Sequence, residues 1–198
     1  MRKLFTLILV LVLTLSSLVG CSNNSNGSNG GNNNGYFVNG LIDRTDYRNY
    51  FVIVDGKRYD LDTTLQEILN DGYEVRAGLD INREIQPNTY ELVFLSRDGD
   101  RVFKVLPANR TNSPLPLSQC PIQEYEIMTE WYPNASIVGG LSLGDSINSV
   151  KAVFGESLNP ENEAFIFYGS GTSSAGIFSF KFDESGNMIS ARVAFNKK

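Results

Sequence analysis

Residues 143–155 read Leu143-Gly144-Asp145-Ser146-Ile147-Asn148-Ser149-Val150-Lys151-Ala152-Val153-Phe154-Gly155, and the spacing of their apolar side chains decides how the fold is read. Ile147, Val150, Val153 and Phe154 recur at three- and four-residue intervals, so a helix brings them onto one face. Leu143-Gly144-Asp145-Ser146 enters that helix with side chains suited to capping, and Gly155 ends it. Three strands are expected to follow. In Glu163 to Tyr168, Phe165 and Phe167 fall on one side, Ile166 and Tyr168 on the other. Phe178, Phe180 and Phe182 point one way in Ile177 to Asp183, as do Ile189, Ala191, Val193 and Phe195 in Ile189 to Phe195. Asp183-Glu184-Ser185-Gly186-Asn187 is the turn between the last two strands.

Outward from that stretch, the first half shows the same plan. Tyr50 to Val54 is aromatic and β-branched, Asp55-Gly56 is a two-residue turn, and Lys57-Arg58-Tyr59 leads back. Asp62-Thr63-Thr64 offers caps for a short helix whose Leu65, Ile68 and Leu69 share a face, with Gly72 as its stop. Thr89 to Ser96 and Arg101 to Leu106 read as strands joined by Arg97-Asp98-Gly99-Asp100. Pro107 to Pro116 reads as loop, Gln119 to Met128 as a further strand, and Trp131-Tyr132-Pro133-Asn134 as the connection between halves. Leu65-x-x-Ile68 before Gly72 matches Ile147-x-x-Val150 before Gly155. A weak internal duplication, two tandem helix-plus-three-strand repeats, is the economical reading, and chance recurrence of a short motif is the alternative. Either way the pattern predicts an α+β fold, an antiparallel sheet with helices packed on one face, divided into 36–133 and 134–198.

The segment 144–155 resembles the helix-then-glycine segment of the SmpA/OmlA-like and β-lactamase-inhibitor-like modules, and the Phe178 to Phe195 hairpin is similar to their following strands. The likeness covers residues 141–196 and extends to the first half only by analogy. It departs at Glu156-Ser157, where those families have proline close behind the glycine. The resemblance implies a helix packed on a curved sheet and a non-enzymatic binding or assembly role.

The N-terminus carries an address. Arg2 and Lys3 precede an apolar run from Leu4 to Leu15, the charged and apolar regions of a secretory signal spanning residues 1–20. That run is shorter than the roughly 18–20 residues of a transmembrane helix. Leu18-Val19-Gly20-Cys21 resembles the lipobox of bacterial lipoproteins, which implies diacylglycerol on the Cys21 sulfur, cleavage before it and acylation of the new amino group. Two acyl chains suffice for stable membrane residence where one does not. Residues 22–35 contain only Ser, Asn and Gly, so residues 21–35 are expected to form a flexible tether of roughly 20 Å root-mean-square span. The expected location is the extracytoplasmic face of a cell membrane, held by the lipid.

Composition narrows the chemistry. Without Arg2 and Lys3 the balance moves from 17 basic and 22 acidic residues to 15 and 22, a net charge near −7. An acidic body argues against nucleic acid, which selects a basic footprint. Histidine is absent, which removes the commonest general base and metal ligand. Cys120 is left single once Cys21 is acylated, and reads as a small core hydrophobe. Asp80-x-Asn82-x-Glu84 with Glu91 mimics part of a calcium loop, but Ile85 stands where the sharp turn needs glycine. The serines around Gly169 to Gly176 have no base to activate them, and a strand rather than a helix follows, so no phosphate loop is expected. No catalytic residue, metal ligand or cofactor is therefore predicted. The aromatic residues exceed what one sheet face needs, and Trp131, Tyr132 and Tyr168 are the candidates for an exposed binding patch. The expected function is a non-enzymatic module that binds an envelope or extracellular protein; the alternative is a small-ligand or glycan-binding lipoprotein with Trp131 and tyrosines stacked on the ligand.

Overall fold

The computed structural model describes residues 35–132, 134–158, 164–169 and 176–195. The expected signal segment, Cys21, nearly all of the tether, Pro133, Glu163 and residues 170–175 of the serine-rich loop lie outside them. The principal elements are β1 (Phe51–Val54), β2 (Lys57–Asp60), α1 (Leu65–Asn70), β3 (Glu74–Val75), β4 (Val93–Arg97) and β5 (Asp100–Asn109). They continue with β6 (Ile122–Met128), β7 (Ala135–Ile137), α2 (Ile147–Phe154), β8 (Phe165–Gly169), β9 (Gly176–Phe182) and β10 (Met188–Phe195).

One antiparallel sheet dominates, in the order β8-β9-β10-β6-β5-β4-β3, with Thr89–Tyr90 pairing the far end of β5 as an eighth strand. A second sheet has the order β7-β1-β2. Register lines the inward side chains of the large sheet into two transverse rows. Tyr168, Phe178, Val193, Tyr125, Val105 and Val93 form one; Ile166, Phe180, Ala191, Ile127, Phe103 and Leu95 form the other. All twelve are buried. Period-two alternation produces these rows, and opposite neighbours on one face supply most of a sheet's side-chain stabilisation.

Three bulges adjust the rows. Ile122 and Tyr125 both face inward although three residues apart, because the β6–β5 register shifts between them. The shift between Lys181 and Phe182 places Met188 inside and leaves Ile189 half-buried. Ile189 therefore does not share the inward face of Ala191 and Val193 as alternation predicted. A third shift follows Leu95.

The small sheet and both helices cover the inward rows. Tyr50 stacks on Phe178 with ring centroids 4.3 Å apart, Tyr59 meets Phe103, and Tyr125 donates its hydroxyl hydrogen to the Asp60 carbonyl at 2.9 Å. Phe154 of α2 packs on Tyr168, Phe178 and Phe180. Both helices begin as expected. Thr64 and Glu67 form a reciprocal capping box, and Ser146 accepts from the Ser149 N–H. Gly155 closes α2 at a φ of +80°, in the region that favours glycine.

The fold class differs from the α+β expectation. The chain is β-rich, and the helices have only six and eight residues, about two turns each. Most of the cover is the β7-β1-β2 sheet, with the helices beside it. The reason lies in β7: Ala135 to Ile137 pairs with β1 from the other half, a long-range contact that no local periodicity reveals. In the large sheet the strands of 134–198 lie together on one side and those of 36–133 on the other, meeting where β6 pairs with β10. Two further expectations fail for similar reasons. The strand from Thr89 to Ser96 is broken at residues 91–92, and Pro107 does not begin a loop. It stays in β5 opposite Ile122, where its carbonyl accepts from the Glu91 N–H.

Two predictions follow from the packing. A Cβ on Gly176 would overlap the buried Tyr50 ring, so Gly176→Ala is expected to destabilise the fold by about 1–3 kcal/mol, as overpacking does, measured by urea denaturation. An unchanged midpoint would show that this contact is not tight. Hydrogen bonds from the Thr64 backbone and side chain hold the Glu67 carboxyl below its ordinary value of 4.5. A lowered folded value means stability present at higher pH and lost as pH falls through it. Thr64→Ala should therefore cost about 1 kcal/mol at neutral pH. The gap to wild type should narrow as pH falls below 4.5, and a gap constant down to full protonation would contradict the box.

Candidate functional site

Side chains that alternate with the inward rows project from the opposite face of the large sheet. One outward row runs Phe167, Ser179, Arg192, Glu126, Lys104 and Phe94 across five pairings. The next contains Phe165, Lys181, Ser190 and Met128. Lys104, Glu124, Glu126, Phe165, Ser179, Lys181, Ser190 and Arg192 line a depression of about 310 Å³.

Charge is concentrated on the central strands. Lys104 pairs with Glu126, and Arg192 donates from Nη2 to Glu124 at 2.6 Å. Glu124 is 8% exposed, and the Glu126 side chain 12%. Such burial of carboxylates is rare without partners. Burial pushes the Lys104 ammonium below its ordinary value, against the attraction of Glu124. The Nε of Arg192 is enclosed and has no hydrogen-bond partner in the described structure. Lys181 is exposed and has no acidic partner among the described residues. Three cations thus face two carboxylates on a chain that is acidic as a whole.

Aromatic rings border the band. Trp131 meets Phe94 edge-on, with centroids 5.8 Å apart, and Arg101 lies 4.8 Å over the Phe94 ring. Phe165 and Phe167 stand at the other side, both half-buried. Trp131 thus packs on Phe94, the neighbour of Lys104 in the outward row.

Tyr132 has a different place. Its hydroxyl bonds to Asp55 in the β1–β2 turn, and Asp55 also accepts from Tyr73 at 3.3 Å and pairs with Arg97. Arg97 in turn lies 3.9 Å over the Tyr73 ring. Burial, against the opposing charge of Arg97, pushes the Tyr73 hydroxyl up to about 12. Tyr132 is a strut of this network. Tyr168 is wholly buried: its ring stacks on Phe154 at 5.0 Å and its hydroxyl donates to the Gly155 carbonyl at 2.9 Å. Burial raises that hydroxyl to about 12. Tyr168 therefore closes the end of α2 and presents no face to a ligand. The structure does not bring Trp131, Tyr132 and Tyr168 together. Cys120 is buried under α1, and its thiol is pushed up by burial.

The residues that sequence reading passed over are polar ones set between inward apolar neighbours. Lys104 sits between Phe103 and Val105, Glu126 between Tyr125 and Ile127, and Ser179 and Lys181 alternate with three phenylalanines. Alternation marks each as outward. It does not say that they line up, because lining up depends on strand order.

Comparison with protein-family models, with curated proteins and with solved structures finds no match for this chain.

The Lys104–Glu126 pair offers a direct test of the band. Removing one partner leaves a half-buried charge, so Lys104→Met should destabilise by about 1–3 kcal/mol, between the values for exposed and buried pairs. Replacing both residues by Met should restore most of that loss in a denaturation cycle. Additive losses would show that the two side chains do not interact.

Proposed function

We propose that this protein is a membrane-anchored cell-surface lipoprotein whose domain binds another envelope or extracellular protein, without catalysis, through the outer face of its large sheet. The observation that carries the reading is the charged band on central strands, where Lys104, Glu124, Glu126, Lys181 and Arg192 line an open depression. Ion pairs held there contribute little to folding, since desolvation offsets their attraction. They are well suited to choosing a partner, because complementary charge sets orientation and rejects wrong surfaces. With Lys181 unpaired among the described residues, the band selects an acidic patch on the partner. The lipobox at Cys21 supports the location, and among the described residues no helix is long and apolar enough to cross a membrane.

A second reading, binding of a small ligand or glycan, is favoured by one feature. The depression has the volume of a ligand site, and the Phe94–Trp131 pair adjoins Lys104, one of its lining residues.

Both parts are testable in cells that make the protein. Metabolic labelling should place palmitate on the wild type and not on Cys21→Ser. An unlabelled wild type overturns the anchor. Cross-linking in intact envelopes should capture a discrete partner, and Lys181→Glu should weaken that capture by about tenfold, which corresponds to ~1.4 kcal/mol. Lys181 is exposed, so the substitution spares the fold. Undiminished capture rejects this face. Trp131 is the sole tryptophan, so a saccharide that changes its emission while capture is unaffected would favour the second reading.

A further inference from the structure

We propose that the N-terminal hairpin of the domain, Phe37–Val38 against Leu41–Ile42, seats in the interfacial layer of the membrane that holds Cys21 and fixes the orientation of the domain. The proposal rests on the anchor reading above.

The hairpin is built to show apolar side chains to the outside. Asn39 and Gly40 make its two-residue turn with φ of +53° and +81°, the combination favoured by Asn-Gly. Of its four strand residues only Ile42 is buried; Phe37, Val38 and Leu41 are 45%, 55% and 39% exposed. Tyr36 and Tyr47 are 40% and 44% exposed. Five of the eight exposed large hydrophobic side chains among the described residues thus fall between positions 36 and 47. A cluster of this kind on a monomer marks a contact surface.

It is also firmly held. Asn49, fully buried, donates to the Tyr36 and Asp43 carbonyls at 2.8 Å and accepts from the Tyr36 N–H at 2.6 Å. Asp43 N–H donates to the Tyr36 carbonyl at 2.9 Å. The apolar tip is therefore presented on a braced support, with no conformational change needed to expose it.

Position and charge point to lipid as the occupant. Phe37 lies sixteen residues after Cys21 in the sequence, a root-mean-square span of roughly 20 Å for a Gly/Ser/Asn-type chain. A lipid-attached Cys21 would keep the membrane surface at about that average distance, so weak partitioning acts at high effective concentration. The segment 36–49 carries Arg44, Arg48, Asp43 and Asp46 and so is neutral, whereas the mature chain is near −7. The Arg48 guanidinium lies 3.8 Å over the Tyr36 ring and bonds to Asp46, which places polar groups and an amphipathic ring behind the apolar tip. Tyrosine and arginine at that depth behind Phe, Val and Leu match the layering of a membrane interface.

The test uses the lipidated full chain in phosphatidylcholine–phosphatidylglycerol vesicles. Cys21 is acylated and Cys120 is buried, so Val38→Cys supplies the one accessible thiol for an environment-sensitive fluorophore. Asp98→Cys serves as the control, since Arg97 places it near Asp55, about 17 Å along β1 from Tyr50 at strand rise. The expected result is a blue shift at position 38, with quenching by lipids carrying a shallow acyl-chain quencher, and neither at position 98. Phe37→Asp should abolish both effects at position 38 while leaving the protein in the vesicle fraction. Water-like emission at both positions in vesicle-bound protein overturns the docking and leaves the anchor standing. A blue shift without lipid quenching shows a protein occupant, and quenching at both positions shows no fixed orientation; either overturns the proposal. Protein that fails to sediment with vesicles overturns the anchor, and the docking with it.

Discussion

The Tyr50 ring occupies the space above Gly176, stacks on Phe178 and leans on Phe195 at 4.9 Å, while its hydroxyl donates to the Arg44 carbonyl at 2.6 Å. Through one side chain the beginning of the domain is joined to its last two strands. β1 starts at the next residue, so the placement of the small sheet over the large one depends on where this ring comes to rest. Neither sheet is self-sufficient, since each has an apolar face that the other covers. A missing Cβ at Gly176 makes the close approach possible, and a full-sized residue there would hold the two sheets apart.

Local structure was legible in the sequence wherever local physics decides it. The Asp55-Gly56 turn, the caps at Thr64 and Ser146, the stop at Gly155 and the inward set Phe178, Phe180 and Phe182 all follow from short-range rules. What local rules do not carry is the identity of the partner strand. Ala135 to Ile137 is too short to announce itself, yet its pairing with β1 turns an expected helical layer into a second sheet. Ile189 is a smaller instance. Its alternation is regular in sequence, and a bulge against Phe182 moves it off the inward face.

The candidate site was less legible for the same reason. An aromatic residue is large wherever it lies, so Trp131, Tyr132 and Tyr168 stand out in a sequence while their burial does not. Tyr168 proves to be core and Tyr132 a strut, and Trp131 packs on Phe94 of the outward row. The charged band arises from Lys104, Glu126 and Arg192 on three strands that are far apart in the chain and adjacent in the sheet. Its two faces give the sheet opposite roles. Hydrophobic burial on one side supplies cohesion, and the other carries charge whose net contribution to folding is small, leaving it open to selection for recognition.

The lateral margins of the large sheet are unequal. At one side it finishes in Glu74–Val75, two residues that offer too little backbone to template another chain. The opposite margin, Phe165–Gly169, is longer, but there the Phe167 carbonyl already accepts from the Leu158 N–H at 3.1 Å. Each margin thus offers a neighbouring copy little unpaired backbone, which disfavours sheet-to-sheet fusion between molecules.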